Sequence, residues 1–134
     1  MAIDRVSLRL QSETLTAAEL ADLAGGPPTS AAERGSLVSS RHPSGPVHAV
    51  TTIVYGASVD GDGDLGSFVV ALQPLLGRLG DWSTRGDFSA DLIVAVTGAP
   101  MGFMASLDAA MVRRLSAANC GIVFDAYESE DTDA

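Results

Sequence analysis

The amino-acid sequence predicts an α+β domain with a mixed or antiparallel sheet of four or five strands and helices mainly on one face. The main observation is a strand–helix unit that occurs twice, over residues 3–24 and 91–118, before a closing strand over 121–127. Two such halves are typical of a ferredoxin-like arrangement, here with an extra central helix. At 134 residues the chain can bury about two-thirds of its unfolded surface, so we expect a single domain over residues 1–127.

The first unit carries the clearest local signals. Apolar and polar residues alternate over 3–10, which predicts a strand with one buried and one exposed face. Thr16 and Glu19 fit a capping box at the start of a helix that reaches Ala24. The glycine and proline pairs of residues 25–28 then end this helix.

The stretch from residue 25 to 47 is predicted to be the least structured, because four of the six prolines lie in it. A short strand is expected inside it at Ser36–Ser39. Valine, isoleucine, threonine and tyrosine favour a longer second strand over Val47–Ser58.

A central helix should begin at Leu65, because apolar residues recur from there at helical spacing as far as Leu79. Pro74 lies inside this pattern. Since proline removes a backbone donor and clashes with the preceding turn, it predicts a kink or break near Gln73.

The C-terminal part repeats the strand–helix pattern. A third strand over 91–97 and a loop over 98–102 precede the last helix, over 106–118. The closing strand over 121–127 is followed by an acidic segment, 128–134, which we expect to be disordered.

Charge and cysteine content narrow the functional classes. The chain has 17 acidic and 8 basic residues, a net charge of −9. This balance opposes binding to nucleic acid, because attraction to phosphates requires clustered Lys and Arg. No apolar run approaches the roughly 20 residues that cross a bilayer, and the first residues show no secretory signal, so we expect a cytoplasmic protein without membrane contact. The single cysteine, Cys120, excludes an internal disulfide.

Three acids in the segment 60–64 resemble the start of a calcium loop. Asp60, Asp62 and Asp64 stand at alternate positions, as the first ligands of such a loop do. Leu65 replaces the required glycine, and Ala71 replaces the bidentate glutamate. The pattern therefore favours a turn with Asp64 as helix N-cap, and a metal site formed by the three acids is the weaker alternative.

The only locally basic stretch holds Arg34, Arg41, His42 and His48. These residues are candidates for binding an anionic ligand, and the competing interpretation is a mobile polar loop. The sequence contains no nucleophile elbow, P-loop or dinucleotide fingerprint. We therefore expect no catalytic residues and no cofactor.

Five residues are candidates for contact with a protein partner. Ser7 and Arg9 belong to the polar face of the first strand, which no predicted helix covers. Trp82, Met101 and Phe103 are aromatic or flexible apolar side chains in predicted loops, where they can anchor a partner or cap the edge of the core.

Three segments, taken in order, resemble the bacterial domain-of-unknown-function family 4279. They are residues 6–29, with their strand, capping box and Pro28-Thr29; then Gly35; and residues 107–127, from Leu107-Asp108-Ala109 to Asp125-Ala126-Tyr127. The likeness covers roughly residues 5–127. Members of this family often carry a tryptophan at the start of the second strand, whereas residues 50–55 here contain none. The resemblance implies a bacterial α+β domain, and the family offers no established activity to carry over.

Together these observations predict a non-enzymatic protein-interaction domain of the immunity or adaptor type. Its partner would be another protein, of basic character because the chain is acidic. The alternative is a small anionic-ligand-binding protein or minor enzyme that uses the Arg/His loop of residues 34–48. The sequence leaves the oligomeric state open.

Overall fold

In a computed structural model of the chain, residues 2–39, 41–58, 64–82, 84–97 and 106–127 are described. These residues form five strands and four helices. In chain order the elements are β1 (Ala2–Ser12), α1 (Ala17–Ala24), β2 (Ser30–Ala32), β3 (Thr51–Gly56), α2 (Leu65–Ala71), α3 (Gln73–Gly80), β4 (Ser89–Thr97), α4 (Ala109–Ala117) and β5 (Cys120–Tyr127).

The strands form one open sheet in the order β2-β3-β1-β4-β5. β2, β3, β1 and β4 pair antiparallel with one another in the ferredoxin-like order, and β5 pairs parallel with β4 at the end of the sheet. The parallel pair needs a crossover, and α4 supplies it. The predicted α+β class with a five-stranded mixed sheet is therefore confirmed.

The core lies between one face of the sheet and the helix layer. Every second residue of β1, β3 and β4 points into it, as the pleat of a strand requires. All four helices contribute apolar side chains to the same cluster, which confirms the predicted one-sided packing. The largest fully buried apolar side chains are Val6, Leu8, Leu10, Leu20, Ile53, Val69, Leu76, Leu79, Leu92, Val94 and Val96.

The helices begin and break where local signals predict. Thr16 caps α1 through a capping box with Glu19, and Asp64 caps α2 by accepting the Ser67 N–H. The central helix is interrupted at Leu72, and Pro74 lies in the first turn of α3. None of the helices in the described ranges is long and apolar enough to cross a membrane.

Several predicted boundaries were wrong. No strand covers residues 36–39; the short strand is β2, at 30–32, and Leu37 forms only an isolated bridge with Val47. The second long strand is confined to 51–56, because residues 47 and 48 pair with the preceding loop instead.

The last helix also differs from its predicted start at residue 106. It begins at Ala109, because the Asp108 side chain accepts the Met111 N–H and so marks the N-cap. The predicted loop 98–102 and the acidic segment 128–134 lie outside the described residues.

Replacing Gly25 with alanine should destabilise the protein by about 1 kcal/mol, because Gly25 ends α1 with a φ of 87°, which alanine adopts only under strain. A Cβ at this position would also lie 3.1 Å from Nε of Arg78. Gly26→Ala is the matched control, because a Cβ there meets nothing within 4 Å. Urea unfolding measures both losses, and equal losses would contradict the capping role.

Candidate binding surfaces

A hairpin between β2 and β3 occupies most of the region predicted to be least structured. We call residues 35–39 and 41–48 the arm. Its two sides are paired through the backbone: the His48 N–H donates to the carbonyl of Ser36 at 2.9 Å, and the Val38 N–H donates to the carbonyl of Pro46 at 3.0 Å. The arm is therefore a defined structure rather than an irregular loop.

The base of the arm is tied to the domain. The Arg34 N–H donates to Thr51 Oγ1 at 3.2 Å, and the Arg34 guanidinium donates to the carbonyl of Glu13. The Glu33 carboxylate accepts the N–H of Ala17, in the first turn of α1, at 2.9 Å. These bonds restrict the direction in which the arm leaves the sheet.

The tip of the arm turns tightly. The Gly45 N–H donates to the carbonyl of His42 at 2.8 Å. A Cβ on Gly45 would lie 2.9 Å from the Cβ of His42, so this turn requires glycine. The described residues of the arm thus form two sides that are paired through the backbone and a tight turn.

Apolar side chains on the arm face solvent. Leu37 and Val47 stand opposite each other and are 37 and 53% exposed, while Val38 is 56% exposed. Since exposed aliphatic groups on a braced hairpin gain free energy when another surface covers them, the arm has the composition of a contact surface.

The arm separates the residues that were predicted to bind an anion. Arg34 and His48 lie at its base, and Arg34 is already engaged with Glu13. Arg41 and His42 lie in the tip, beyond the last backbone pair of the hairpin. The four residues thus form two pairs at opposite ends of the arm, and anion binding by them stays a prediction.

A shallow basin of about 390 Å³ lies on the open face of the sheet, opposite the helices. We call it the open-face basin. Two arginines and several small side chains line it, and of the small ones Ser7 and Ala95 are 8 and 3% exposed. Its lining residues are Arg5, Ser7, Arg9, Thr29, Ser30, Val54, Gly56, Ile93, Ala95 and Asp125.

The structure thus places Ser7 and Arg9, both predicted to contact a partner, in one concave surface. Arg9 Nη2 lies 3.4 Å from Oδ2 of Asp91, a long and single contact. Arg9 Nε is buried and has no hydrogen-bond partner in the described part of the chain. The hydrogen-bonding capacity of Arg9 is therefore only partly used.

Trp82, in the turn after α3, is bonded to α1. Its indole N–H donates to the carbonyl of Leu23, in α1, at 3.2 Å. The Arg85 guanidinium lies 5.8 Å from the centre of the ring, within the range of a cation–π contact. Partner contact through Trp82 stays a prediction, and the candidates Met101 and Phe103 lie outside the described residues.

Asp64 is the one member of the acidic segment 60–64 that the structure describes; Asp60 and Asp62 lie outside it. Its carboxylate accepts the N–H and the hydroxyl of Ser67, both at 2.8 Å. These bonds lower the pKa of Asp64 and account for it as a helix cap. In the described part of the chain, no three His, Cys, Asp or Glu side chains are grouped so that they could hold a metal ion.

Cys120 should react slowly with alkylating reagents in the folded protein. Burial, and to a lesser degree the charge of Asp91, raise the pKa of its thiol to about 12. Since the thiolate is the reactive form, iodoacetamide at pH 8 should label the folded protein at least about tenfold more slowly than the urea-unfolded chain. Mass spectrometry measures this at a single site, because Cys120 is the only cysteine.

The same shift predicts an effect on stability at alkaline pH. The folded state holds the thiol proton more tightly, so its stabilising contribution is complete below about pH 9, the ordinary pKa of the thiol, and is lost as the pH rises toward 12. Cys120→Ser should lessen this loss of stability.

In the labelling experiment with iodoacetamide, equal rates for the folded and the unfolded protein would contradict the raised pKa of Cys120.

Sequence reasoning missed two features of these surfaces. Arg5 was not among the candidates, although it alternates with Ser7 and Arg9 on one face of β1, and this signal could have identified it. The pairing of the exposed Leu37 and Val47 could not be identified in this way. These two residues form an isolated bridge, and the sequence around them does not alternate between apolar and polar residues.

No family model, curated protein or solved structure matches this chain. The resemblance to the bacterial family 4279 therefore stays a prediction.

Proposed function

We propose that this protein is a non-enzymatic protein-binding domain of the adaptor or immunity type, and that the arm is its main contact with the partner. The observation that carries the proposal is the exposure of Leu37, Val38 and Val47 on a hairpin whose backbone is already paired. A preformed contact surface loses little conformational entropy on binding, so more of its contact energy appears as affinity.

The chemistry of the arm supports a protein partner. Protein interfaces combine an apolar centre with arginine and a polar rim. The aliphatic side chains of the arm supply the apolar centre, and Arg41 and His42 lie in the tip of the arm. A partner with an apolar groove bordered by acceptor groups would suit this composition.

We also propose that the partner is a basic protein and that the compartment is the bacterial cytoplasm. The net charge of −9 favours a partner that is basic overall, because long-range attraction speeds association, and it disfavours nucleic acid. The resemblance to family 4279 supports a bacterial origin. A single cysteine, in the thiol state at neutral pH, is compatible with the bacterial cytoplasm.

The test compares wild-type protein with the double variant Val38→Asp, Val47→Asp in affinity capture from native lysate, followed by titration of the retained protein. Burial of the Val38 and Val47 side chains by the partner should contribute roughly 3 kcal/mol to the binding free energy. The variant should therefore bind about 100-fold more weakly. Val70→Asp is the matched control, since Val70 is 50% exposed but lies on α2, away from the arm.

Circular dichroism and urea unfolding should show that all three proteins are folded. An arm variant that binds as tightly as wild type would overturn the arm as the contact. Loss of binding in the Val70→Asp control alone would move the contact to the helix layer.

A second candidate function is the binding of a small anionic ligand in the open-face basin. The partly used guanidinium of Arg9 favours it, because a buried N–H without an acceptor destabilises the protein and a ligand that draws the side chain into the basin would relieve this. Arg5 lies on the same face and has a side chain of the same charge.

Thermal unfolding with citrate and with inorganic phosphate tests this candidate. A ligand present at ten times its Kd adds about 1.4 kcal/mol to the stability of a domain, which raises the Tm by several degrees. Arg5→Gln and Arg9→Gln should remove the shift, and Arg41→Gln at the tip of the arm should leave it unchanged. Absence of a shift with both anions in the wild-type protein would count against anion binding in the basin.

A further inference from the structure

The open-face basin has charges of both signs in its lining. Arg5 and Arg9 lie on β1, and Asp125 lies on β5, two strands away. Asp125 is the only acidic residue among the described residues that line the basin. A ligand that is purely anionic would therefore be attracted by the arginines and repelled by this carboxylate.

The strand register places Arg5 and Asp125 in one row across the sheet. Arg5 of β1 stands beside Ala95 of β4, and Ala95 stands beside Asp125 of β5. Since neighbouring strands are about 4.8 Å apart, the Cα atoms of Arg5 and Asp125 are about 10 Å apart. Both residues are exposed, and neither forms an ion pair within the described part of the chain.

Small residues separate this row from the row of Arg9. Ser7 lies between Arg5 and Arg9 on the open face of β1, and its neighbours across the sheet are Gly56 of β3 and Ile93 of β4. Ser7 and Gly56 have little side-chain volume, so the surface is concave between the two arginines. The volume of about 390 Å³ is at the lower end of the range for small-molecule sites.

Hydrogen-bond donors and the carboxylate lie on different sides of the basin. Thr29 and Ser30 add hydroxyl groups on the side of β2. The Thr29 Oγ1 accepts the Gly56 N–H at 2.9 Å, which leaves its own hydrogen for a ligand. The donors thus lie toward β2 and β1, whereas the carboxylate of Asp125 lies toward β5.

We propose that the open-face basin binds a small zwitterion, whose carboxylate lies against Arg5 and Arg9 and whose ammonium group lies against Asp125. This inference rests on the second candidate function, the binding of an anionic ligand in the basin, and it adds the second charge of the ligand. The half-buried Val54 and Ile93 contact the carbon chain between the two charged groups.

Each charged group of such a ligand supplies a partner that the described part of the chain does not. Arg9 Nε is buried without a hydrogen-bond partner there, and the contact of Arg9 with Asp91 is long, at 3.4 Å. A carboxylate that draws this side chain into the basin can accept two parallel bonds, from Nε and from one Nη. The ammonium group pairs with Asp125.

An NMR titration with two matched ligands tests the proposal. γ-Aminobutyrate and butyrate have the same carbon chain and the same carboxylate, and only the first carries an ammonium group. The amide signals of Ser7 and Ala95, which line the basin, report binding at this site. The wild-type protein should bind γ-aminobutyrate about fivefold more tightly than butyrate, the ratio expected for one exposed ion pair.

Three variants assign this preference to its residues. Asp125→Asn should weaken γ-aminobutyrate about fivefold and should not weaken butyrate. Arg5→Gln should weaken both ligands alike, because both carry the carboxylate. Asp22→Asn is the matched control, since it changes the net charge equally, but Asp22 is exposed on α1, in the helix layer. It should leave the preference unchanged.

Equal affinities of the wild-type protein for the two ligands overturn the proposal, and so does the absence of any shift at Ser7 and Ala95. A preference that persists in Asp125→Asn, or that disappears equally in Asp22→Asn, also overturns it. If citrate or phosphate raises the Tm while the two matched ligands bind equally, the anion site stands and the zwitterion proposal alone fails.

The arm is not involved in this binding. No residue of the arm is among the described residues that line the basin. The arm variant Val38→Asp, Val47→Asp should therefore bind both ligands as the wild-type protein does. Loss of partner binding with the ligand preference intact separates the arm from the basin, and loss of the preference in the arm variant contradicts the proposed site.

Discussion

Replacing Leu8 with alanine is expected to lower the free energy of unfolding by about 3 kcal/mol, the largest effect of any single substitution considered for this protein. Leu8 is fully buried at the middle of β1, the central strand, and stands between Tyr55 of β3 and Leu92 of β4. Both neighbours pack against it, so the surrounding structure has little freedom to fill the cavity. Since small domains are stable by only about 5–15 kcal/mol, the variant would lose a large part of its stability.

Urea unfolding measures this loss, and Val70→Ala is the control. Val70 is half exposed on α2, so its truncation should cost no more than about 0.5 kcal/mol. Similar losses in the two variants would mean that the core is not centred on β1.

Ser12→Ala is expected to cost about 2 kcal/mol, although it removes only one oxygen atom. The Ser12 hydroxyl donates to the carbonyl of Asp87 at 2.6 Å and accepts the N–H groups of Thr14 and Leu15 at 3.1 and 2.9 Å. Ser12 is itself 4% exposed. Alanine would leave three backbone groups without this partner. Thr14 is exposed, so water can reach its N–H, and only part of the loss remains uncompensated, since a buried group left without a partner costs about 1–3 kcal/mol.

These bonds connect the end of β1, the turn into α1 and the residues before β4. The Ser12→Ala variant should therefore show faster amide exchange at Leu15 as well as a lower urea midpoint. Ser36→Ala is the control, because Ser36 also donates to a carbonyl at 2.6 Å, that of Glu33, but at an exposed site. Equal losses for the two serines would show that water replaces the Ser12 hydroxyl without cost.

Local sequence signals were sufficient where each feature depends on neighbouring residues. The capping box of Thr16 and Glu19, the cap at Asp64 and the break before Pro74 each involve groups within one helical turn. Such contacts form wherever the chain makes a helix, so they can be read without knowledge of the tertiary structure.

The arm shows where local reasoning fails. Its prolines and polar residues suggested an irregular loop, but backbone bonds between residues about ten apart give it two paired sides. The bonds from Glu33 and Arg34 that hold its base reach to residues 17 and 13. No local pattern encodes those distances.

The candidate surfaces likewise have features that the sequence predicts and features that depend on the tertiary structure. The alternation of β1 identified Ser7 and Arg9 as a polar face, because side-chain direction in a strand follows from the pleat alone. Their meeting with Thr29 and Asp125 in one basin depends on the order of the strands, which long-range packing decides. Local hydrogen bonding and periodicity thus set the elements of this protein, and the burial of one sheet face by all four helices set which residues remain exposed for binding.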